Sequence, residues 1–366
     1  MKPTEMIRAL GLLAATAVMA AGISTAAGAQ TFPDPKDEAK LYEAAKKEGT
    51  LVWYGGAPAD PMRLMANDFE AKYPGIKVEI TRLVGVAQYQ RYMQETNAKQ
   101  YIVDLLHIGD RPSMVDLVEN GYISEWKVPT YDRLPPDAKI KNHSYVAWII
   151  DSAIAYNPNL VTPEEVKLLS GDYHGLLDPR FKGRLAITDQ AAGGQIAVNQ
   201  MFLSPKYRDE YGWPFLQKLA AQKLKIYNDV TIPVDRVVAG EQAITLFTSE
   251  GNTSGLFLRG APIRWTHPKP VSAFGNTWFA VSKYATHPNA ARLFINWIMS
   301  DEGARSVLTK YNGIPTLGGV KDDREVTKAP WYQPITERVT PDWDAWASGQ
   351  TEKDFAAWVK LMKENQ

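Results

Sequence analysis

From Thr50 onward the chain alternates short apolar runs with longer stretches whose apolar residues recur every three or four positions, and this alternation constrains the fold more than any other feature. A short apolar run bounded by turn residues reads as a buried strand, and a three-to-four spacing reads as a helix with one apolar face. Regular alternation of the two predicts sheets covered by helices. Leu51–Tyr54 is the first expected strand, broken by Gly55–Pro58. Asp60 is then placed to cap a helix with Pro61 at its first position and Met62, Met65 and Phe69 on one face. Lys77–Arg82 alternates Val78 and Ile80 with polar neighbours as a second strand, and Val103–Ile108, a third, runs through Gly109–Pro112 into a helix closed by Gly121.

Tyr145–Tyr156 reads as one or two strands, placed between two such sets and so suited to cross between domains. Leu185–Thr188, Leu224–Tyr227 and Gln242–Thr248 repeat the strand-loop-helix scheme. Gly275–Val281 reads as a strand returning to the hinge, and Pro288 starts a helix with Ala290, Leu293, Phe294, Trp297 and Ile298 on one stripe. A last helix from Thr351, with Asp354 three residues on as a capping box, puts Phe355, Trp358, Val359 and Met362 on its core face. The expected class is α/β with two lobes, each a mostly parallel sheet flanked by helices. Residues 30–147 and 272–366 are assigned to the first lobe and 148–271 to the second.

Residues 1–29 stand apart. Lys2 and Arg8 form a basic start, Ala9–Ala21 a short apolar run, and Ala27-Gly28-Ala29 a small-residue cleavage site, the pattern of an export signal that leaves Gln30 first. The sequence has no cysteine, which excludes disulfides, thiolate nucleophiles, thiolate zinc sites, iron–sulfur clusters and a lipidated N-terminal cysteine. Its 41 basic residues balance 41 acidic ones, so no electrostatic footprint for nucleic acid or an anionic membrane is present. The expectation is a monomer diffusing freely in a bacterial periplasm. No G-x-S-x-G, H-E-x-x-H, G-x-x-x-x-G-K-[ST] or strand-following G-x-G-x-x-G occurs. His107, His143, His174, His267 and His287 lack metal-ligand spacing, and three adjoin loops or prolines, as incidental surface histidines do. No catalytic residue, metal or cofactor is therefore expected.

In an open α/β sheet, ligands bind beyond the carboxyl ends of strands, where helices begin. In the first half that rule selects Tyr54, Gly55, Gly56, Ala57, Arg82, Asp110 and Arg111. In the second it selects Ala192, Gly193, Gly194, Gln195, Asn228, Asp229, Ser249 and Glu250. Gly193, Gly194 and Gln195 would offer helix-start N–H donors to an oxyanion, and Arg82 and Arg111 its neutralising charge. Asp110 suits either a ligand ammonium or a helix cap, and Glu250 a cation or hydroxyl. Tyr54, Trp148 and Trp278 are candidate walls.

Several runs, in order, resemble the periplasmic solute-binding proteins of ABC transporters, type II, similar to the ferric-iron-binding group. They are EAAKKEGTLVWY over Glu43–Tyr54, FEAKYPGIKV over Phe69–Val78 and DLLHIG over Asp104–Gly109. LDPRFKGRLA over Leu177–Ala186, VAGEQAI over Val238–Ile244 and HPNAARLFINW over His287–Trp297 follow. The resemblance implies two lobes closing on one small solute, delivered to an inner-membrane permease. The iron-binding members carry adjacent tyrosines where this chain has Ser249-Glu250-Gly251-Asn252, and a histidine near the position of Pro58. Those departures argue against ferric iron. Ala192-Gly193-Gly194 matches the place where such relatives hold an anion, which favours a small organic anion bearing phosphate, phosphonate or carboxylate. A polyamine or thiamine held by Asp110, Asp229 and Glu250 is the cationic alternative, and a secreted hydrolase the alternative of another class.

Overall fold

The computed structural model describes residues 32–366 apart from 84–85, 110, 191–192 and 276, and omits the side chains of 86 and 193. The expected export signal lies outside the described residues.

After α1 (Glu38–Glu48), parallel strands β1 (Thr50–Gly55), β2 (Lys77–Arg82) and β3 (Leu105–Ile108) lie side by side, with Trp53 of β1 opposite both Ile80 and Leu105. Parallel neighbours need long crossovers, supplied by α2 (Ala59–Lys72) and α3 (Val86–Asn97). α2 starts on Pro58 without a side-chain cap, so Asp60 lies inside the first turn and does not cap it. α4 (Arg111–Glu119) follows β3.

Tyr145–Tyr156 is neither one strand nor two. It forms three, each in a different sheet. β5 (Ser144–Val146), with β4 (Lys139–Ile140) beside it, belongs to the first sheet. β6 (Trp148–Asp151) is the middle strand of a small hinge sheet, and β7 (Ala153–Tyr156) enters a second large sheet. There the chain runs through α5 (Pro163–Ser170), β8 (Leu185–Thr188), α6 (Gly193–Leu203), α7 (Arg208–Tyr211) and α8 (Trp213–Ala220). It continues through β9 (Lys225–Tyr227), α9 (Ile232–Val238), β10 (Ile244–Thr248), α10 (Glu250–Leu258) and β11 (Arg264–Thr266).

The way back mirrors the way out. β12 (Ala273–Phe274) pairs with β6 in the hinge, and β13 (Trp278–Val281) slots between β3 and β5 of the first sheet. The segment expected to return to the hinge therefore passes through it. α11 (Pro288–Ile298) and α12 (Asp301–Ser306) cover the first sheet side, and a π-helical turn, Val307–Tyr311, leads to β14 (Ile314–Pro315) on the free side of β6.

The first sheet runs β2-β1-β3-β13-β5-β4 and the second β11-β7-β10-β8-β9. Both are mixed rather than mostly parallel: the strands that leave and re-enter each lobe run antiparallel to their neighbours. α13 (Trp343–Ala347) and α14 (Gln350–Glu364) end the chain. Phe355, Trp358 and Met362 are buried as expected, but in the core of the second sheet with Phe202, Phe215 and Leu219, not in the first lobe. Thr351 does not cap α14. It is buried, and its hydroxyl accepts a hydrogen bond from Gln200 of α6, which fastens the helix there.

Candidate functional site

The carboxyl ends of β8 and β10 enclose a cavity of about 120 Å³. Thr188 ends β8, and Gly194 and Gln195 form the first turn of α6. Thr245 to Thr248 of β10, then Ser249 and Asn252 at the start of α10, form the adjoining wall. Ile150 of the hinge strand, Tyr311, which arrives from the first-lobe side, and the apolar Val230 and Pro233 complete it. β10 shifts register against β7 between Thr245 and Thr248, and Phe247 there takes a left-handed φ of 57°. A bulky residue in that region is strained, and a bulge re-aims the side chains beside it.

The start of α6 is built by close packing. A Cβ on Gly194 would stand 2.5 Å from the Asp151 carbonyl oxygen and 2.7 Å from Ser152 Oγ, so only glycine fits. Ser152 Oγ donates to the Gly194 carbonyl at 2.7 Å. The first N–H groups of a helix have no partner within it, and α6 has no acidic residue in its first turn to offset its positive end. Gln195 follows, 1 % exposed, with neither Oε1 nor Nε2 hydrogen-bonded.

The start of α10 is different, because an internal anion occupies it. Both Asp151 carboxylate oxygens accept from the Glu250 N–H, at 3.0 and 3.1 Å, and Asp151 Oδ2 meets His267 Nε2 at 2.8 Å. Glu250 does not face a solute: it is 1 % exposed and ion-paired with Arg324 at 2.6 Å. Tyr332 donates to it at 3.2 Å, and burial pushes its pKa up despite the arginine. Ser249 caps α10 through the Asn252 N–H at 3.3 Å and also lines the cavity.

The remaining expected residues divide clearly. Tyr54 is no wall: it is fully buried, its hydroxyl donates to Glu95 at 3.0 Å, and burial with that carboxylate pushes its pKa up to about 12. Trp148 and Trp278 are core residues too. A Cβ on Gly55 would stand 2.3 Å from Met62 Sδ and oblige that side chain to shift, whereas Gly56 has ordinary room. Ala57 is buried, and its carbonyl accepts from Arg82 Nε at 3.0 Å, leaving the exposed Arg82 guanidinium without a described carboxylate partner. Arg111 packs on Trp278 and Trp343, and burial lowers its pKa. Asp229 binds the N–H and hydroxyl of Thr231 in its own turn, which holds its carboxyl below the usual range, and the Asn228 carbonyl accepts from Gln190. Asp110 and Ala192 lie outside the described residues.

The cavity therefore gathers Gly194, Gln195 and Ser249 of the expected set and leaves Tyr54, Arg82, Arg111, Asp229 and Glu250 outside its lining. Thr188 and Thr248 follow from the strand-end rule as strand-terminal residues. Tyr311 and Ile150 do not, since nothing local in the sequence signals their approach. Three of the histidines are not incidental: His107 and His267 are buried, and His287 Nδ1 meets the fully buried Asp104 carboxylate at 2.8 Å, whereas His174 is exposed as expected. A larger groove of about 540 Å³ lies among residues 206–211, 267–271 and 333–339 and includes none of the residues at the ends of β8 and β10.

Iron-bound HitA from Pseudomonas aeruginosa superposes with a TM-score of 0.66 at 19% identity, covering 85% of this chain and 99% of that one. AfuA from Actinobacillus pleuropneumoniae, with fructose-6-phosphate bound, gives 0.65 at 21% identity over 86% of this chain and 99% of its own. The substrate-binding protein of an ABC transporter from Agrobacterium tumefaciens gives 0.68 at 18% identity, covering 86% and 94%. At such identities these likenesses concern the fold, that of two-lobed type II periplasmic binding proteins. The profile of the bacterial extracellular solute-binding proteins matches residues 64–334, most of the chain, and with the two lobes, the three hinge strands and the strand-end cavity it makes this chain a member of that family.

Proposed function

We propose that the solute is a small organic anion bearing phosphate, phosphonate or carboxylate, captured in the periplasm by a non-lipidated monomer and passed unchanged to an inner-membrane permease. The carrying observation is the start of α6: a helix end with no acidic residue in its first turn, opening on a cavity beside the unpartnered Gln195. Partial positive charge there favours an oxyanion. At about 120 Å³ the cavity is below the usual range for a whole ligand and suits the polar end of one. Arg82 and Arg111, at strand ends of the first lobe, would meet the remainder.

The cationic reading rests on Asp110, Asp229 and Glu250. Asp110 lies outside the described residues, and the other two are engaged within the protein, Glu250 by Arg324 and Asp229 by Thr231. A ferric cargo, as in HitA, needs hard anionic ligands, and the described cavity lining offers one phenol, Tyr311, among amides and hydroxyls. AfuA, with its sugar phosphate, is the neighbour whose solute fits this lining better. A thermal-shift and calorimetric screen of phosphorylated, carboxylated, cationic and uncharged solutes tests the proposal. A ligand at 100 times its Kd should add about 2.7 kcal/mol of stability. Stabilisation by amines or neutral sugars alone would refute it.

A further inference from the structure

We infer that the solute carries a hydrogen-bond donor, a hydroxyl or N–H next to its anionic group, and that Gln195 selects for it; this rests on the anion reading above. Gln195 is almost wholly buried, lines the cavity, and leaves both ends of its amide unpaired. An amide side chain offers two donor hydrogens and one acceptor oxygen. A fully deprotonated oxyanion can satisfy the donors and the helix-start N–H groups. It cannot satisfy the acceptor, and would set its own lone pairs against it.

Among the described residues no Lys, Arg or His lines the cavity. None of the hydroxyl or amide donors in its lining, those of Thr188, Thr245, Thr248, Ser249, Asn252 and Tyr311, is hydrogen-bonded to the Gln195 oxygen. The Thr245 hydroxyl, also on the wall, is buried and likewise unpaired, so the protein leaves two groups there to be completed from outside. Neither amide atom has a partner, so exchanging the oxygen and nitrogen of Gln195 leaves both a donor and an acceptor to be satisfied. A 2-hydroxycarboxylate or a hydroxylated phosphate ester meets these requirements, whereas simple donor-free anions do not. A site built to hydrogen-bond a hydroxyl rejects the analogue lacking it, since its buried polar group is then left unpaired.

The first test is mass spectrometry of solute released from the native protein, followed by calorimetry with matched probes: glycolate against acetate, lactate against propionate, and glycerol 3-phosphate against propyl phosphate. The expected result is an anion with an O–H or N–H donor, and at least tenfold tighter binding of the hydroxylated member of a pair. Gln195→Leu should keep its fold, having lost an unpaired amide, and cut that preference below threefold. Asn199→Leu removes another buried, unpaired amide, one turn further along α6 and outside the cavity lining, and should leave the preference intact. A released anion without any donor, equal affinity within each pair, or a preference that survives Gln195→Leu overturns the inference while the anion reading stands. A cationic or neutral solute, or no binding of any anion, overturns the anion reading itself and the inference with it.

Discussion

The guanidinium carbon of Arg111 lies over the ring of Trp343, 5.5 Å from its centre, and over that of Trp278 at 5.7 Å. Arg111 and Trp278 belong to the first lobe. Trp343 opens α13, which is tied to the second lobe by Gln200 of α6: its Nε2 donates to the Asp342 carbonyl and its Oε1 accepts the Asp342 N–H, both at 2.8 Å. A cation–π contact thus spans the lobes; among the described residues no hydrogen bond to the Arg111 guanidinium is present, and the Asp344 carboxylate beside Trp343 acts on its charge against the burial. If the solute is an anion as proposed, Arg111→Ala should weaken its binding at least tenfold by calorimetry. Trp343→Ala should cost about 0.5–2 kcal/mol, in stability or affinity. Arg111→Lys should restore little, because an ammonium lacks the planar face.

Arg324 is the partner of the buried Glu250 and also binds Asp322 and the Asn312 carbonyl. Removing one member of a buried pair strands the other charge. Arg324→Met should destabilise the protein by about 3–5 kcal/mol in urea unfolding, and adding Glu250→Gln should recover a large part of that loss. Equal loss in the single and double variants would contradict the assignment.

The two glycine steps should respond in opposite ways. Gly194→Ala drives a Cβ into backbone at 2.5 Å, and should lower thermal stability and abolish binding together. Gly56→Ala places a Cβ at 3.5 Å from its nearest neighbour and should change stability by no more than about 0.5 kcal/mol.

His107 stacks on Phe279 with ring centres 4.1 Å apart, inside a nest that includes Trp53 and Trp148, and burial lowers its pKa to about 3. The unfolded chain binds this proton from about pH 6.5 downward and the native chain only near pH 3. Its contribution to stability is therefore complete above pH 6.5 and falls as the pH drops through that window. His107→Leu should flatten the pH dependence, so that the wild type's extra loss between pH 6.5 and 5 is about 1.6 kcal/mol in denaturant titrations.

Much of the framework was legible because strand and helix periods differ. Leu51–Tyr54 and Lys77–Arg82 announced themselves, and so did the α11 stripe. Tyr145–Tyr156 revealed a crossing but not its three-way division, since β5, β6 and β7 are distinguished only by their pairing partners. An apolar face tells that α14 is buried, not against which sheet. The same limit governed the site. Gly193-Gly194 marks a helix start, but whether Glu250 is free depends on Arg324, which sequence spacing does not bring near it. Tyr311 reaches the cavity through a π-helical turn that no local pattern foretells.

Asp151 and Ser152 are consecutive residues at the junction of β6 and β7, and from there one holds the start of α10 and the other the start of α6. Loose loops would surrender conformational entropy when a solute arrived, at the expense of affinity. Here that ordering is completed during folding, and the same two residues anchor both helix starts to the crossover. A solute reaching these helix starts would meet backbone already held in place by Asp151 and Ser152, so little of its binding free energy would be spent on ordering them.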